Sequence, residues 1–315
     1  MWKVARGVPI PKPKKDNYDL AKNYRTISLL NCLGKVVERV ATEVLSQHCE
    51  GGDTLHDGQF GARRRRSAVE AVGRLIGWVE DGWKRKEITG ALCMDVRAAF
   101  PSVARGCLLR RMREMEVDEE LVRWTDSFMS DRRVRMVVDG GEGQEIGVIT
   151  GLPQGSSVSP LLFNIYISGV HEAGEGGGSV RSLSFVDDVT WVAQGRSVQE
   201  VRAKLEAAAR RAIGWGGTNG VSFEAGKTEA ILFSRNRRHW RDRGHERIRI
   251  GDHRIPFNAR ATRWLGIYLD SRLSFTEHTR VSARKARAAE RRLTSMVARH
   301  GVPPLSARHL QEAIV

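Results

Sequence analysis

Carboxylates stand at two places in this chain where apolar runs end. Asp95 follows Ala91-Leu92-Cys93-Met94, and the pair Asp187-Asp188 lies inside Ser184-Phe185-Val186-Asp187-Asp188-Val189. An Asp-Asp pair between two apolar runs is, by itself, ordinary turn chemistry. An acid at a strand end is equally unremarkable. The surroundings shift the balance, because both places are embedded in apolar residues, β-branched and aromatic ones around Asp187-Asp188, where an unpaired carboxylate is costly. Acids delivered from distant parts of a chain to one sheet edge suit hard divalent cations, which take oxygen ligands and neutralise clustered charge. Two such ions about 3.5–4 Å apart would clamp the in-line attack of a hydroxyl on a phosphoryl group.

Periodicity shows which elements must position these acids. Residues 88–95 form a nearly continuous apolar run and predict a buried strand, and 180–186 and 189–193 predict two more, joined as a hairpin by Asp187-Asp188. Asn31 can cap a helix whose apolar face is Leu33, Val36, Val37, Val40 and Val44. A second helix is expected over 67–83 with Val69, Val72, Ile76 and Val79 inward, then helices over 106–115 and over 118–129, the latter capped by Asp118. Residues 134–138 and 145–150 flank Asp139-Gly140-Gly141, a hairpin signal. The mostly apolar 158–170 leads to a glycine-rich loop at 174–178, and an amphipathic helix over 197–215 closes at Gly216-Gly217. Residues 221–223, 229–233 and 261–269 read as strands, 235–249 as a basic loop, and the chain from Thr276 as basic helix with a further helical pattern toward Val315. No repeat is present. Helices mixed with an antiparallel sheet argue an α+β fold of two or three subdomains.

Composition narrows the partners. Lys and Arg number 52 against 37 Asp and Glu, a formal net charge of +15, in a chain of 315 residues that is 41% hydrophobic. The excess favours a polyanion, nucleic acid first and an acidic membrane surface second. No apolar run reaches the roughly eighteen residues of a membrane span, and the start lacks a signal-peptide core, so no membrane is expected. Cys32, Cys49, Cys93 and Cys107 form no CxxC pair, which argues against structural zinc and for a reducing, intracellular setting.

Five motifs in order then carry a resemblance. Phe185-Val186-Asp187-Asp188 resembles the (F/Y)xDD motif of reverse transcriptases, and Met94-Asp95 through Phe100 their first catalytic motif. Gly151-Leu152-Pro153-Gln154-Gly155-Ser156-Ser157-Val158-Ser159-Pro160 resembles the family's LPQGsxxSP motif. Tyr24-Arg25-Thr26-Ile27-Ser28-Leu29-Leu30 and Gln59-Phe60-Gly61-Ala62-Arg63 resemble finger motifs of non-LTR (LINE-type) retrotransposon enzymes. The match runs from about residue 8 to 270.

The resemblance implies a right-hand polymerase: fingers with a basic leading segment over 1–90, palm over 91–270 with a finger insertion around 130–155, and a partial thumb over 271–315. It implies an RNA-directed DNA polymerase, with an RNA template, a DNA primer and dNTPs as partners. Asp95, Asp187 and Asp188, with the carbonyl of Val96, would hold two Mg²⁺ ions, Mn²⁺ being able to substitute. Lys12 and Arg25 would hold the triphosphate, although a basic surface segment is the competing account of Lys12. Phe100 takes the place of the steric gate that excludes a 2′-hydroxyl, against the plainer reading of a core Phe before Pro101. Gln154 and Gly155 would line the nucleotide pocket, and Lys227 would assist departure of pyrophosphate. A P-loop at Gly226-Lys227-Thr228 is rejected, since Val221 stands where the pattern needs glycine. Arg63, Arg64, Arg65 and Arg66 would contact the template backbone, with a solvated charge run as the alternative. Trp264-Leu265-Gly266 resembles the primer grip, and Arg284 and Lys285 belong to a thumb helix lying along the duplex.

The chain departs from the family with Thr26 in place of a usual Pro, and with Arg64-Arg65. It is expected to be a fragment of a longer polyprotein or a decayed copy, acting in the nucleus after a cytoplasmic phase. A catalytically weak RNA-binding remnant and a maturase-like RNA-binding protein are the alternatives.

Overall fold

The computed structural model describes residues 3–312 apart from 14, 53, 177, 179, 259, 302, 304, 307, 310 and 311, and apart from the side chains of 237, 243 and 300. Two residues of the expected loop at 174–178 and its flank, and most of the pattern toward Val315, therefore lie outside the described residues.

The basic leading segment is extended, as its composition suggested, and it is paired. Strand β1 (Val4–Pro11) runs antiparallel to β2 (Tyr24–Leu29). Helix α1 (Cys32–Gly51) starts at the predicted cap, where the Asn31 carboxamide accepts from Leu33 and Gly34 N–H. Its inward face is not the predicted one. Leu33, Val36, Val37, Val40 and Val44 are 41–64% exposed, while Glu38, Ala41, Leu45 and Cys49 turn in. Buried Glu38 decides the face, because its carboxylate accepts the Ser156 hydroxyl at 2.6 Å and the Ser157 N–H at 3.2 Å. A buried acid with two donors is stable only in that orientation, and the valines follow the helix outward.

Helix α2 (Ala68–Lys84) opens with a reciprocal capping box between Ser67 and Glu70. Val72 and Val79 are buried as predicted and Ile76 packs against them, but Val69 is 70% exposed, one turn too early to reach the sheet. Strand β3 (Ile88–Asp95) is the predicted buried run. Helices α3 (Arg105–Glu114) and α4 (Glu119–Met129) follow, the second capped by the Asp118 carboxylate. Strands β4 (Arg132–Val138) and β5 (Gly141–Val148) meet at Asp139-Gly140, both with positive φ, as a tight hairpin requires.

The apolar stretch after the Gly-Leu-Pro-Gln-Gly segment forms α5 (Ser159–Ile167), buried on all sides, and α6 (Gly169–Glu175). Val186 and Asp187 join β6 (Val180–Phe185) to β7 (Asp188–Gly195), so the turn falls one residue before the expected Asp187-Asp188 and Asp188 opens the second strand. Helix α7 (Val198–Asn219) runs past Gly216-Gly217, where closure was expected. A Cβ on Gly216 would lie 2.4 Å from the Val221 carbonyl, so this glycine permits close packing, and left-handed Gly220 is the true stop. Strand β8 (Glu229–Phe233) matches its prediction, whereas 221–223 makes only a bridge from Phe223 to Val96. The expected basic loop, 235–249, contains α8 (Arg237–His245) and most of β9 (Arg247–Ile250), which pairs with β10 (His253–Pro256) beyond it. Its charge hid the helix, which Trp240 anchors by donating its indole N–H to the Ser234 carbonyl. The run at 261–269 divides into β11 (Ala261–Trp264) and β12 (Ile267–Asp270) around Leu265-Gly266, and α9 (Thr276–His300) follows.

Two four-stranded sheets result. One has the order β2-β1-β4-β5, with β1 parallel to β4, so residues 132–148 join the N-terminal strands. The other, β6-β7-β3-β8, is antiparallel throughout. It packs α7 on one face, through Val201, Leu205 and Ala208, and α2 with the β11–β12 hairpin on the other. Trp191, Leu92 and Met94 are essentially fully buried. Each such side chain contributes about 1.5–3 kcal/mol from burial. The second sheet is therefore a rigid plate, and the acids sit at one end of it.

Candidate active site

Register brings the acids together. Asp95, the last residue of β3, pairs directly with Asp188, the first of β7. Across an antiparallel ladder that sets the two Cα atoms about 4.5–5.5 Å apart. Asp187 occupies the two-residue turn with Val186, and its carbonyl accepts the Val96 N–H at 3.1 Å. Val186 has φ +58°, a left-handed conformation that a β-branched residue adopts only under constraint. The constraint comes from residues 58–61. Ser184 N–H donates to the Gly58 carbonyl at 2.8 Å, and Phe60 N–H to the Ser184 carbonyl at 2.9 Å. Asn164 holds the Gly61 carbonyl at 2.6 Å. A Cβ on Gly61 would lie 2.6 Å from the Val186 nitrogen, so glycine is required for this approach.

Charge is concentrated here. Burial first, then the neighbouring Asp187 and Asp95 carboxylates, push the Asp188 carboxyl up to about 6, with Lys227 opposing. Burial also raises Asp187, together with the Asp95 charge, against Arg25 and Lys227. Lys227 Nζ donates to Asp95 Oδ2 at 2.7 Å, and that bond is the main reason its own pKa is raised. The lysine is held by a short turn in which its N–H donates to the Glu224 carbonyl. The Glu224 carboxylate is in turn bound by Arg97 at 3.2 Å, and Glu224 N–H donates to the Asp95 carbonyl at 2.9 Å. Among the described residues no three His, Cys, Asp or Glu side chains close into a metal cage. The donor set is an open edge of mutually repelling oxygens, partly exposed, with an ammonium on one of them. Oxygen-only, charge-crowded donors of this kind fit hard divalent ions.

The predicted nucleotide-side residues gather around that edge. Lys12 follows β1, with its ammonium on the Lys22 carbonyl at 2.7 Å. Partial burial lowers its pKa, helped by Arg25, Lys227 and Lys15, while Asp95 raises it. Lys12, Arg25 and Lys227 thus share one field with Asp95. Arg25 lies exposed on β2 opposite Ile10. Phe100 is half-buried against Phe163, centroids 5.4 Å apart. Its carbonyl accepts the Leu152 N–H at 2.8 Å. The Gln154 carbonyl accepts Ser28 N–H at 2.6 Å, and a Cβ on Gly155 would lie 2.5 Å from the Ser28 carbonyl. The Gly-Leu-Pro-Gln-Gly loop therefore ties β2 to the segment after β3, and with it Arg25 to Phe100.

Residues 10–269 match the family model for reverse transcriptase (RNA-dependent DNA polymerase). The chain belongs to the reverse transcriptase family. Its relatives come from mobile elements, as the LINE-type resemblance implied. A probable RNA-directed DNA polymerase from transposon X-element of Drosophila melanogaster is 26% identical over 292 residues, covering 91% of this chain and 31% of that protein. The RNA-directed DNA polymerase from mobile element jockey of Drosophila funebris is 25% identical, covering 87% and 30%. The chain thus spans about a third of the length of these relatives. Among solved structures, apo telomerase from Candida tropicalis aligns with a TM-score of 0.58 at 12% identity, covering 87% of this chain and 48% of that one. That likeness shows the fold, an α+β right-hand polymerase.

The four arginines after the Gln59 segment divide. Arg63 is corrected: its side chain is 2% exposed, and it binds both Glu50 oxygens and the His56 and Gln59 carbonyls, so it staples the fold internally. Arg66 binds Asp57 and lies over the Phe60 ring, Arg64 binds Glu43, and Arg65 projects outward with φ +55°. Trp264 is 4% exposed, under the Leu265-Gly266 turn, whose residues both have positive φ. Arg284 and Lys285 are exposed on α9, and Val96 is buried with its amide tied to the acid turn.

Sequence reasoning missed the support behind the turn. His171, fully buried, bridges Ser182 Oγ at 2.7 Å and Ser184 Oγ at 3.0 Å, with the His56 ring stacked on it. Burial pushes its pKa down to about 3. The available signal was two serines alternating along β6 with a histidine and an acid in the short helix before it, where Glu175 accepts the Ser182 hydroxyl at 2.6 Å.

Proposed function

We propose that this chain is the polymerase part of a non-LTR (LINE-type) element's reverse transcriptase, adding dNTPs to a primer 3′-hydroxyl on an RNA template. The observation that carries this reading is the direct pairing of Asp95 with Asp188 beside the Asp187 turn, with Lys12, Arg25 and Lys227 in the same field. Residues 1–90 act as fingers, 91–270 as palm with the insertion at 130–155, and 271–315 as partial thumb. The shared sheet of β1, β2, β4 and β5 supports the insertion, although α2 packs under the palm sheet.

Lys12 and Arg25 bind the triphosphate, Arg25 as a two-pronged donor and Lys12 as a point charge. Phe100 sets a flat edge beneath the sugar, held by Phe163 and by the Leu152 hydrogen bond. Gln154 and Gly155 line the base side, and Lys227 is placed to give a proton to the departing pyrophosphate oxygen. Asp95, Asp187, Asp188 and the Val96 carbonyl would hold two Mg²⁺ ions, or Mn²⁺, which when bound would supply Lewis acidity toward the hydroxyl and the phosphate oxygens. Leu265 and Gly266 steady the primer with buried Trp264 packed beneath their turn, while Arg64, Arg65, Arg66, Arg284 and Lys285 neutralise backbone phosphates. The work belongs in the nucleus, where an inserting element meets chromosomal DNA. No described helix is long and apolar enough to cross a membrane.

Extension of oligo(dT) on poly(rA) with dTTP and Mg²⁺ tests the reading. Template-dependent products are expected, and their absence at any Mg²⁺ or Mn²⁺ concentration with a folded chain would remove it.

A further inference from the structure

At the other end of the palm sheet, a cavity of about 520 Å³ opens between α8, the base of the β11–β12 hairpin and the first turn of α9. Its place follows from register. Phe233 pairs with Thr89, six residues before Asp95, so the end of β8 lies about 20 Å from the acids along the strand. Ser234, just beyond, ties both walls to that end: its N–H donates to the Ser271 carbonyl at 3.0 Å, and its carbonyl accepts the Trp240 indole N–H at 3.1 Å.

The lining alternates cations and rings. Arg260, Arg272 and Arg280 face it together with Trp240 and Tyr268. The Arg272 guanidinium lies 4.2 Å from the Trp240 ring centroid, a planar cation fixed on an indole. A second such stack, Arg235 over Trp83 at 4.3 Å, follows directly after Ser234. The two acids that line the cavity are engaged. Asp270 accepts from Arg272 N–H, Ser274 N–H, Phe275 N–H and the Ser274 hydroxyl, and Glu277 takes both prongs of Arg280 at 2.9 and 2.7 Å. Three guanidinium groups against two engaged carboxylates leave the site cationic, with flat surfaces for stacking. A small apolar ligand would waste the charge, and a free anion would not use the rings. An unpaired nucleotide uses both, its phosphate meeting guanidinium and its base stacking on Trp, Tyr or Arg.

We propose that this cavity seats a nucleotide of a single-stranded nucleic acid, at a site separate from the template–primer cleft. The inference goes beyond polymerase activity and stands without it. Sugar identity is not encoded by the lining, so RNA and DNA strands share the recognising chemistry and the test separates them.

The test uses fluorescein-labelled rU12 and dT12, read by anisotropy against the chain preincubated with saturating unlabelled primer–template. Binding of at least one of them is expected, weakened tenfold or more by Arg260→Glu combined with Arg272→Glu. Both positions are exposed, so folding should survive, and Arg260→Glu alone serves as the milder variant. Primer–template affinity, measured separately, should change less than twofold. The strand that binds tighter names the source. In the unaltered chain, 5-iodouridine in the oligonucleotide should photocrosslink to peptides containing Trp240 or Tyr268. Single-strand affinity indifferent to both variants, or crosslinks confined to peptides around residues 95 and 187, would overturn the proposal. Loss of primer extension with single-strand binding intact would instead strike only the polymerase reading.

Discussion

Replacing Gly61 by alanine should disable the acid turn without touching an acid. The added Cβ would sit 2.6 Å from the Val186 nitrogen and 3.0 Å from the Phe185 carbonyl carbon, both backbone atoms that cannot rotate away. Ordinary contact begins near 3.4 Å, so the turn carrying Asp187 must retreat by about 0.8 Å. A displacement near 1 Å at a reacting centre costs about 100-fold in rate, or about 2.7 kcal/mol of barrier. Gly73 supplies the control. It lies in α2 with nothing within 4 Å of an added Cβ, so Gly73→Ala should gain up to about 1 kcal/mol from helix propensity and leave the rate alone. Single-nucleotide incorporation under single-turnover conditions reads the rate, and thermal melting checks the fold. Gly61→Ala protein that melts normally and keeps its rate within twofold would refute the claim that residues 58–61 set the turn.

Lys227→Met should slow incorporation by about 100-fold at unchanged primer–template affinity, since it removes both the proposed proton donor and the partner of Asp95; an unaltered rate would exclude both roles. Phe100→Val should raise ribonucleotide incorporation relative to dNTPs at least tenfold in competition assays, and unchanged sugar selectivity would return Phe100 to the core. His171 predicts an acid-sensitive fold. Its folded pKa is depressed to about 3, so the unfolded chain takes up a proton below about 6.5 that the native state refuses, and stability falls as pH drops. The loss is about 1.4 kcal/mol per pH unit, or about 2 kcal/mol between pH 7 and 5. Denaturant midpoints at the two pH values, for the parent and His171→Gln, should show the slope shrinking in the variant; equal slopes would contradict it.

The central strands and the acid edge were legible because their cues are local: unbroken apolar runs, an Asp at each end, a two-residue turn between them. Asn31 and Asp118 cap the helices expected of them for the same reason. What escaped depends on which partner a side chain or backbone meets, which an apolar or charged pattern does not record. The apolar stripe of α1 looked like its core face, yet Glu38 meeting Ser156, 118 residues away, turned it outward. Arg63 read as one of four equivalent cations until Glu50 and two carbonyls were found around it. The helix within 235–249 carries no apolar period, only Trp240, whose anchor is a backbone carbonyl six residues upstream, at Ser234. Gly216-Gly217 looked like a helix stop because the close packing of Gly216 and helix termination both call for glycine.

Asp95, Asp187 and Asp188 are proposed to work as one centre for nucleotide addition. Each should be changed singly to asparagine, which keeps shape and removes charge, and the rate of dTMP addition to primed poly(rA) measured beside primer–template affinity. Asp95→Asn and Asp187→Asn are predicted to lose at least 1,000-fold in rate with affinity within threefold of the parent. Full-rate extension by purified Asp187→Asn protein, scaling with its concentration, would contradict the account.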